Sequence, residues 1–383
     1  MIIDVTRFIN RKCIQKRFPT GIDRVDYQYL EHYAARSTAL VRVKLFWFYL
    51  SHSKSQKLFK LLLENEKCAL LKIFLVILQS VFEKKNISNK LLLNISHSGL
   101  HVKNYDMQIK RHKLRPVYFI HDLIPIRYPE YAGSGEEKRH TDRLKHVLAY
   151  AHGIIVNSHD TLEDIKLFAK EEERKMPPAL VAHLGMSSDI RRHRDEILNS
   201  DYFVMLGTIE PRKNHWLMLH IWRDMVVSLG EHAPKLVIIG QEGWDSRHVI
   251  HMLTQSHKLK DHVIYDRSCS DTKLSQYLTH AKALLFPSFY EGYGIPLLEA
   301  ISIGTPVIAS DLPVFRELAN NIPEYLNPLD VNAWAEMIIG YSQKDSKRRD
   351  AQLRRMKDFK PYVWKEHFLI VDEFIKKYED HRE

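Results

Sequence analysis

The sequence predicts an α/β protein of two doubly wound domains. Three observations carry this: the length, an alternation of short β-branched runs with longer amphipathic ones, and a charge-rich crossing between two such stretches. At 383 residues the chain exceeds what one core comfortably serves. Hydrophobic residues make up 45% and charged residues 27%, the balance of a folded globular chain without the bias that marks disorder.

From Tyr202 onward the grammar is βαβα: "YFVMLG", "NHWLMLHIWRDMVVSL", "KLVIIG", "SRHVIHMLTQS", "HVIYD", "TKLSQYLTHA", "ALLFPS", "PLLEAISIG", "PVIAS". Strands apolar on both faces belong to a parallel sheet covered by helices on each side, with ligands beyond the strands' carboxyl ends. The first half offers "MIIDV", "LVRVKLFWFYL", "KLLLNIS", "PVYFIHD", "GIIVNS" and "ALVAHLG" as strands, with helices at Asp23–Ala35 and Glu136–Ala151. Between the halves, "SSDIRRHRDEILNSD" reads as an exposed crossing, which places the boundary near Asp195. The expected units are therefore 1–195, 196–360 and a closing helix over 361–383.

Residues 51–90 break the pattern. They carry eight lysines against three glutamates and read as helical, with apolar side chains recurring every three or four positions. Two readings stand open there: a helix resting on an anionic bilayer, and a basic helical insertion packed on the first domain.

The net charge of +10 implies an anionic partner: nucleic acid, a phosphorylated small molecule or a membrane face. The lysines are not interleaved with stacking residues, which argues against nucleic acid. The longest apolar run, Ile73 to Leu78, is far short of a transmembrane span. The three scattered cysteines suggest neither a disulfide framework nor a zinc site, and the first residues show no signal peptide, so the expected location is cytoplasmic. His97 and His101 have a zinc-pair spacing, but Gly99 interrupts any helix, and no metal is expected. The basic run Lys344–Lys357 reads most simply as a solvated helical face, with contact to anionic lipid as the alternative.

Chemistry concentrates in two strand-to-helix junctions. In "FPSFYEGYGIPLLEA" a loop bearing Glu291 leads into a helix with Pro296 in its first turn and Glu299 a turn further on. The backbone N–H groups of Gly294 and Ile295 face out at the positive helix end, a socket for phosphate. In "FVMLGTIEPRKNHWLML" the strand is followed by Arg212 and Lys213, two cations suited to a diphosphate, before a helix capped by Asn214. Paired glutamates also serve glycoside hydrolases as acid and nucleophile, but a hydrolase needs no phosphate socket.

These residues resemble the retaining GT-B nucleotide-sugar glycosyltransferases of family 4. The carriers are the E-x7-E element "EGYGIPLLE", the loop "GTIEPRKN" and the trailing "AISIGTPVIASDLPVFRE", with weaker support from "TGIDRV", "HDLIP" and "VNSHDTLEDI". The resemblance implies two Rossmann-like domains facing across a cleft, with a C-terminal helix, anchored by Trp364 and Phe368, crossing back to the first. It implies that Glu299 holds the donor's ribose, Glu291 the transferred sugar, and Lys213 and Arg212 the diphosphate, with N–H donors from Gly294 and Ile295. Gly21 would leave room at the phosphates and His121 would face the sugar. One departure is visible: where the family commonly has an arginine directly after the loop glycine, this chain has Thr208, leaving that duty to Arg212.

The implied reaction is transfer of a sugar from a nucleotide-sugar, with a lean to GDP-mannose over UDP- or dTDP-sugars. The acceptor would be a hydroxyl of a glycan or lipid-diphosphate-linked glycan in bacterial surface polysaccharide assembly. Neither cofactor nor metal is required, and the location would be cytoplasmic, peripheral on the inner membrane face through 51–90. A sugar-nucleotide epimerase of the same architecture and a non-catalytic basic binding protein are the alternatives.

Overall fold

A computed structural model describes residues 1–15, 20–44, 46–64, 70–81, 83, 85–102, 104–186 and 190–379. The chain divides into two compact units. The first comprises Met1–Arg127, Ser134–Leu184 and Val363–Glu383, the second Tyr128–Gly133 and Gly185–Tyr362.

Among the described residues the first unit has seven strands: β1 (Ile2–Asp4), β2 (Thr38–Val43), β3 (Phe46–Tyr49), β4 (Leu91–Asn94), β5 (Arg115–Ile120), β6 (Gly153–Val156) and β7 (Ala179–Val181). Their order in the sheet is β3-β2-β1-β4-β5-β6-β7. All pairs are parallel except β2 with β3. The run "LVRVKLFWFYL", expected as one strand, is thus a hairpin, and its chain reverses beside Lys44, which takes a left-handed φ of 53°. β4 and β6 are buried at every position, as strands covered on both faces must be. The helix Gly21–Tyr33 starts where Thr20 donates its backbone N–H to Asp23 at 2.8 Å, the return half of a capping box.

The closing helix Trp364–Glu379 belongs to this first unit. Phe368 is buried against Tyr29, with ring centroids 5.1 Å apart, whereas Trp364 is only half-buried and stacks on Phe368. The buried polar anchor is a residue the sequence did not single out: His367 bonds Tyr29 Oη at 2.8 Å through Nε2 and the His183 carbonyl at 2.9 Å through Nδ1. Further along, Phe374 lies so close to Gly153 that a Cβ there would stand 2.8 Å from its ring.

The basic segment forms two helices, His52–Leu63 and Leu70–Val81. The first buries Leu58, Phe59 and Leu62. The cysteines depart from expectation in one respect: Cys13 is buried and disulfide-bonded, which with three cysteines in the chain amounts to a single bridge and not a framework. Cys269 is free, and Cys68 lies outside the described residues.

The second unit has six strands among the described residues: β8 (Tyr202–Leu206), β9 (Lys235–Ile239), β10 (Val263–Asp266), β11 (Leu284–Phe286), β12 (Val307–Ser310) and β13 (Glu324–Leu326). They are parallel throughout, in the order β10-β9-β8-β11-β12-β13. Its core joins Phe203, Met205, Trp222, Leu236, Leu285, Ile308 and Trp334. Strand order reverses between β8 and β11, so two neighbouring strands send their chains to opposite faces of the sheet. The crevice this opens beyond their carboxyl ends is where such sheets bind ligands.

Candidate functional site

Both motif loops leave the sheet at that reversal. After β8 the backbone passes Gly207, at φ 145°, and runs to a single tight turn over Pro211–Lys213. The loop is pinned beneath: Ile209 donates its N–H to the Gln241 carbonyl at 2.8 Å, and Gly243 donates back to Ile209 at 3.0 Å. Gly240 allows this approach, since a Cβ there would lie 2.0 Å from the Gly207 carbonyl oxygen. Asn214 occupies the position before the helix His215–Leu229 but does not cap it, against expectation. It sits in the left-handed region and its Nδ2 donates across to the Pro328 carbonyl at 2.9 Å.

After β11 the chain runs Pro287–Gly294 into the helix Ile295–Ser302, with Pro296 in its first turn as expected. Gly294 is extended, so its need for glycine is spatial: a Cβ would stand 3.1 Å from the Phe315 ring. Glu299, a turn into this helix, is buried at 1% exposure. The two loops are joined by backbone, Phe289 donating its N–H to the Arg212 carbonyl at 2.8 Å.

Side chains complete the junction. Glu291, 7% exposed, receives Arg212 Nη1 on Oε2 at 2.7 Å and the Lys213 ammonium on Oε1. Arg212 also donates to the Tyr290 carbonyl at 3.2 Å and pairs through Nη2 with Glu210 at 2.7 Å. Lys213 lies over the Phe286 ring, 4.9 Å from its centroid. Burial alone would raise the Glu291 pKa, but Arg212 and Lys213 overcome it and hold it at about 2. Burial, and then the adjacent guanidinium, draw Lys213 below its ordinary value, with Glu291 pulling the other way.

Structure therefore brings Arg212, Lys213 and Glu291 into one cluster at the reversal, and Gly294, Ile295 and Glu299 onto the helix that follows the same loop. Sequence reasoning missed Glu210 as the second counter-ion and Phe286 as the floor under Lys213. It also missed Tyr128 and Tyr131, drawn from the first half of the chain into the second unit. Tyr131 stacks on Phe289 at 5.3 Å and Tyr128 sits against Tyr290 at 4.6 Å, bracketing the Glu291 loop. The aromatic pattern "RYPEY" was the available signal.

In the first unit, Gly21 is the first residue of the helix Gly21–Tyr33. His121 follows β5, buried at 4% exposure. Its Nε2 donates to the Ile95 carbonyl at 2.7 Å, and its own carbonyl accepts from Asn157 Nδ2 at 3.0 Å. Burial pushes its pKa down to about 3, so the ring is neutral at ordinary pH. His97, set aside in the sequence, accepts the His121 backbone N–H at 3.1 Å. Among the described residues no group of three or more His, Cys, Asp or Glu side chains is arranged to hold a metal ion.

Residues 187–352 match the family described as "Glycosyl transferases group 1". The chain is 28% identical over 257 residues to the serotype-specific mannosyltransferase WbdA of Escherichia coli, an alignment covering 61% of this chain and 31% of that protein. The chain thus spans about a third of the length of that relative. It is 29% identical over 265 residues to O-antigen chain mannosyltransferase B of Escherichia coli, covering 66% of this chain and 68% of that one. Among solved structures, Anabaena Alr3699/HepE in complex with UDP and glucose superposes with a TM-score of 0.69 at 14% identity, covering 97% of this chain and 98% of the other.

Proposed function

We propose that the chain is a GT-B glycosyltransferase that transfers a hexose from a nucleotide-sugar, GDP-mannose being the favoured donor, to a glycan hydroxyl with retention of configuration; the match of residues 187–352 to the group 1 glycosyl transferases, the likeness to O-antigen mannosyltransferases and the shared fold support this reading. The product would be a bacterial surface polysaccharide such as an O-antigen or capsule, built on a lipid-diphosphate-linked acceptor at the inner membrane face. The observation that carries the reading is the junction at the β8–β11 reversal, where Arg212 and Lys213 already grip an anion, the Glu291 carboxylate.

In this reading the two cations take the donor's diphosphate, helped by the N–H groups of Gly294 and Ile295 at the positive helix end. Breaking the anomeric C–O bond places negative charge on that diphosphate, and preorganised cations lower its cost. Glu299 holds the ribose and Glu291, freed from its ion pair, the hydroxyls of the sugar. The acceptor attacks from the face the diphosphate leaves, and a phosphate oxygen takes its proton, so no dedicated base is needed. The role proposed for His121 is that of a neutral hydrogen-bonding partner to the sugar, in keeping with its depressed pKa and its committed Nε2 proton. Gly21 is proposed to leave space at the phosphates. In a glycosidase, Glu291, held at about 2, could act only as the ionised carboxylate and not as the general acid, and that reading leaves the two cations of the junction without a role.

Among the described residues no helix is long and apolar enough to cross a membrane. The proposed location is cytoplasmic and peripheral.

Incubation with GDP-mannose, UDP- and dTDP-sugars, each with and without a glycan acceptor, tests the proposal. Release of nucleoside diphosphate together with an α-mannosylated product is the expected result. An isomerised donor without transfer would show an epimerase, and no turnover with any donor would leave a binding protein.

A further inference from the structure

The helix Leu70–Val81 is apolar around most of its circumference, yet the fold uses only part of it. Ile73 and Ser80 are buried, and Ser80 Oγ accepts the Ser51 N–H at 3.4 Å, so one face is spent on the neighbouring helix His52–Leu63 and on β3. At 100° per residue, Leu70, Phe74, Leu78, Leu71 and Leu75 fan over a separate arc of about 140°. All five are exposed, Leu71 to 70% and Phe74 to 59%. On the hairpin beside the helix, Phe46 and Val43 are exposed as well. So many large apolar side chains in water on one short element mark a surface that something covers.

Charge identifies what covers it. Next around the helix come Gln79, which accepts from Lys54 at 2.6 Å, and exposed Lys72. Lys57 and Lys60 stand exposed on the adjoining helix. Residues 51–90 hold eight lysines and three glutamates, so a second copy of this face would meet its own charge, whereas an anionic lipid surface meets the opposite one. The helix spans about 18 Å, too short to cross a bilayer and suited to lying flat at the headgroup boundary.

We propose that this arc is the docking surface by which the chain sits on an anionic bilayer: the five apolar side chains enter the acyl boundary, and Lys57, Lys60 and Lys72 pair with lipid phosphates. The proposal adds to the reading of an acceptor held at a membrane. Its test uses neither donor nor acceptor, so its failure and the failure of the transferase reading are separable.

The experiment is flotation of the full chain with vesicles of phosphatidylethanolamine and phosphatidylglycerol, against vesicles of phosphatidylcholine alone. Binding to the anionic vesicles, weakening with added salt, is expected. A Leu71→Gln/Phe74→Gln variant, whose melting temperature should match the parent because both side chains are exposed, is expected to bind roughly tenfold less or worse. Lys57→Gln/Lys60→Gln/Lys72→Gln should remove the preference for anionic lipid. In an otherwise unchanged chain, Phe74→Trp should shift its emission to the blue when anionic vesicles are added. Absence of vesicle binding, or equal binding by parent and Leu71→Gln/Phe74→Gln, overturns the proposal. So does a parent that is dimeric in ultracentrifugation, becomes monomeric on the same double substitution, and never floats, for then the occupant is a second copy.

Discussion

Replacing Glu291 by glutamine isolates the one charge that lies between the two cations. Against the effect of burial, Arg212 and Lys213 draw its pKa from the ordinary 4.5 to about 2 in the folded chain. At 1.36 kcal/mol per unit, the charged carboxylate contributes about 3 kcal/mol at pH 7. Because the folded value is the lower one, this contribution is complete above about pH 4.5 and is lost as pH falls toward 2. Glu291→Gln should therefore lower stability by about 3 kcal/mol near neutrality, or roughly 6–12 °C in the melting of a unit this size. About 1 kcal/mol of the difference should remain near pH 3. Calorimetry of parent and variant across that range reads both numbers. The same substitution leaves Arg212 and Lys213 without this competing carboxylate, so GDP alone should bind and stabilise the variant more than the parent, by about tenfold in affinity, while sugar transfer slows. A stability difference that does not shrink on acidification, or a variant that binds GDP more weakly, would refute the reasoning.

Lys213→Ala should reduce kcat/KM by about 10²–10³, the cost of removing one preorganised cation from a leaving diphosphate, as read by nucleoside diphosphate release. In the first unit, burial pushes Asp26 up to about 7 from 3.8, despite Arg7 at 2.9 Å. An acid with a raised folded pKa loses stability as pH climbs from about 4 to 7, here by about 4 kcal/mol, so Asp26→Asn should flatten that slope in urea titrations and be the more stable protein at pH 8. Gly240→Ala, whose Cβ would fall 2.0 Å from the Gly207 carbonyl at a φ of 155°, should displace the Arg212 loop and abolish GDP-induced thermal stabilisation.

The second unit was the more legible in sequence, for a physical reason. Its strands β8, β9, β11 and β12 are buried on both faces and bounded by Gly or Pro, so run length and β-branching suffice to place them. The cluster was legible as residue types at the ends of those strands. That Glu291 is itself the anion held by Arg212 and Lys213 was not, because a contact across 78 residues depends on strand order, which periodicity does not encode. β13 escaped because it is only half-buried and begins with Glu324, so no apolar run marks it as β11's three buried residues do. The β2–β3 hairpin was merged because nothing in "VRVKLFWF" marks a turn, and Lys44 adopts its left-handed conformation without the usual glycine or asparagine. His367 and His97 were passed over because a histidine's partners, a carbonyl and a backbone N–H, are invisible in the chain's own spelling.

The first unit has the same reversal, between β1 and β4, and comparing the two crevices separates structure from chemistry. There Arg42 meets Asp4 at 2.8 Å, both side chains nearly inaccessible, and its Nη2 reaches the Ser98 carbonyl at 2.6 Å and Ser98 Oγ at 2.8 Å. Asp4 also accepts the Thr6 N–H at 3.1 Å, and the guanidinium packs over Tyr105 and Trp47. One cation is matched by one carboxylate, and the guanidinium's other contacts are the Ser98 carbonyl and hydroxyl and two aromatic rings, so this charge is committed within the fold. Arg42→Ala would bury Asp4 uncompensated, at a cost of about 3–5 kcal/mol, whereas Arg42→Met with Asp4→Asn removes both charges and should cost markedly less. Urea unfolding of the single and double variants measures that difference, and the Km for the donor should stay within about twofold of the parent in whichever variant folds. A tenfold rise in donor Km for the folded double variant would place Arg42 in substrate binding and undo the distinction between the two crevices.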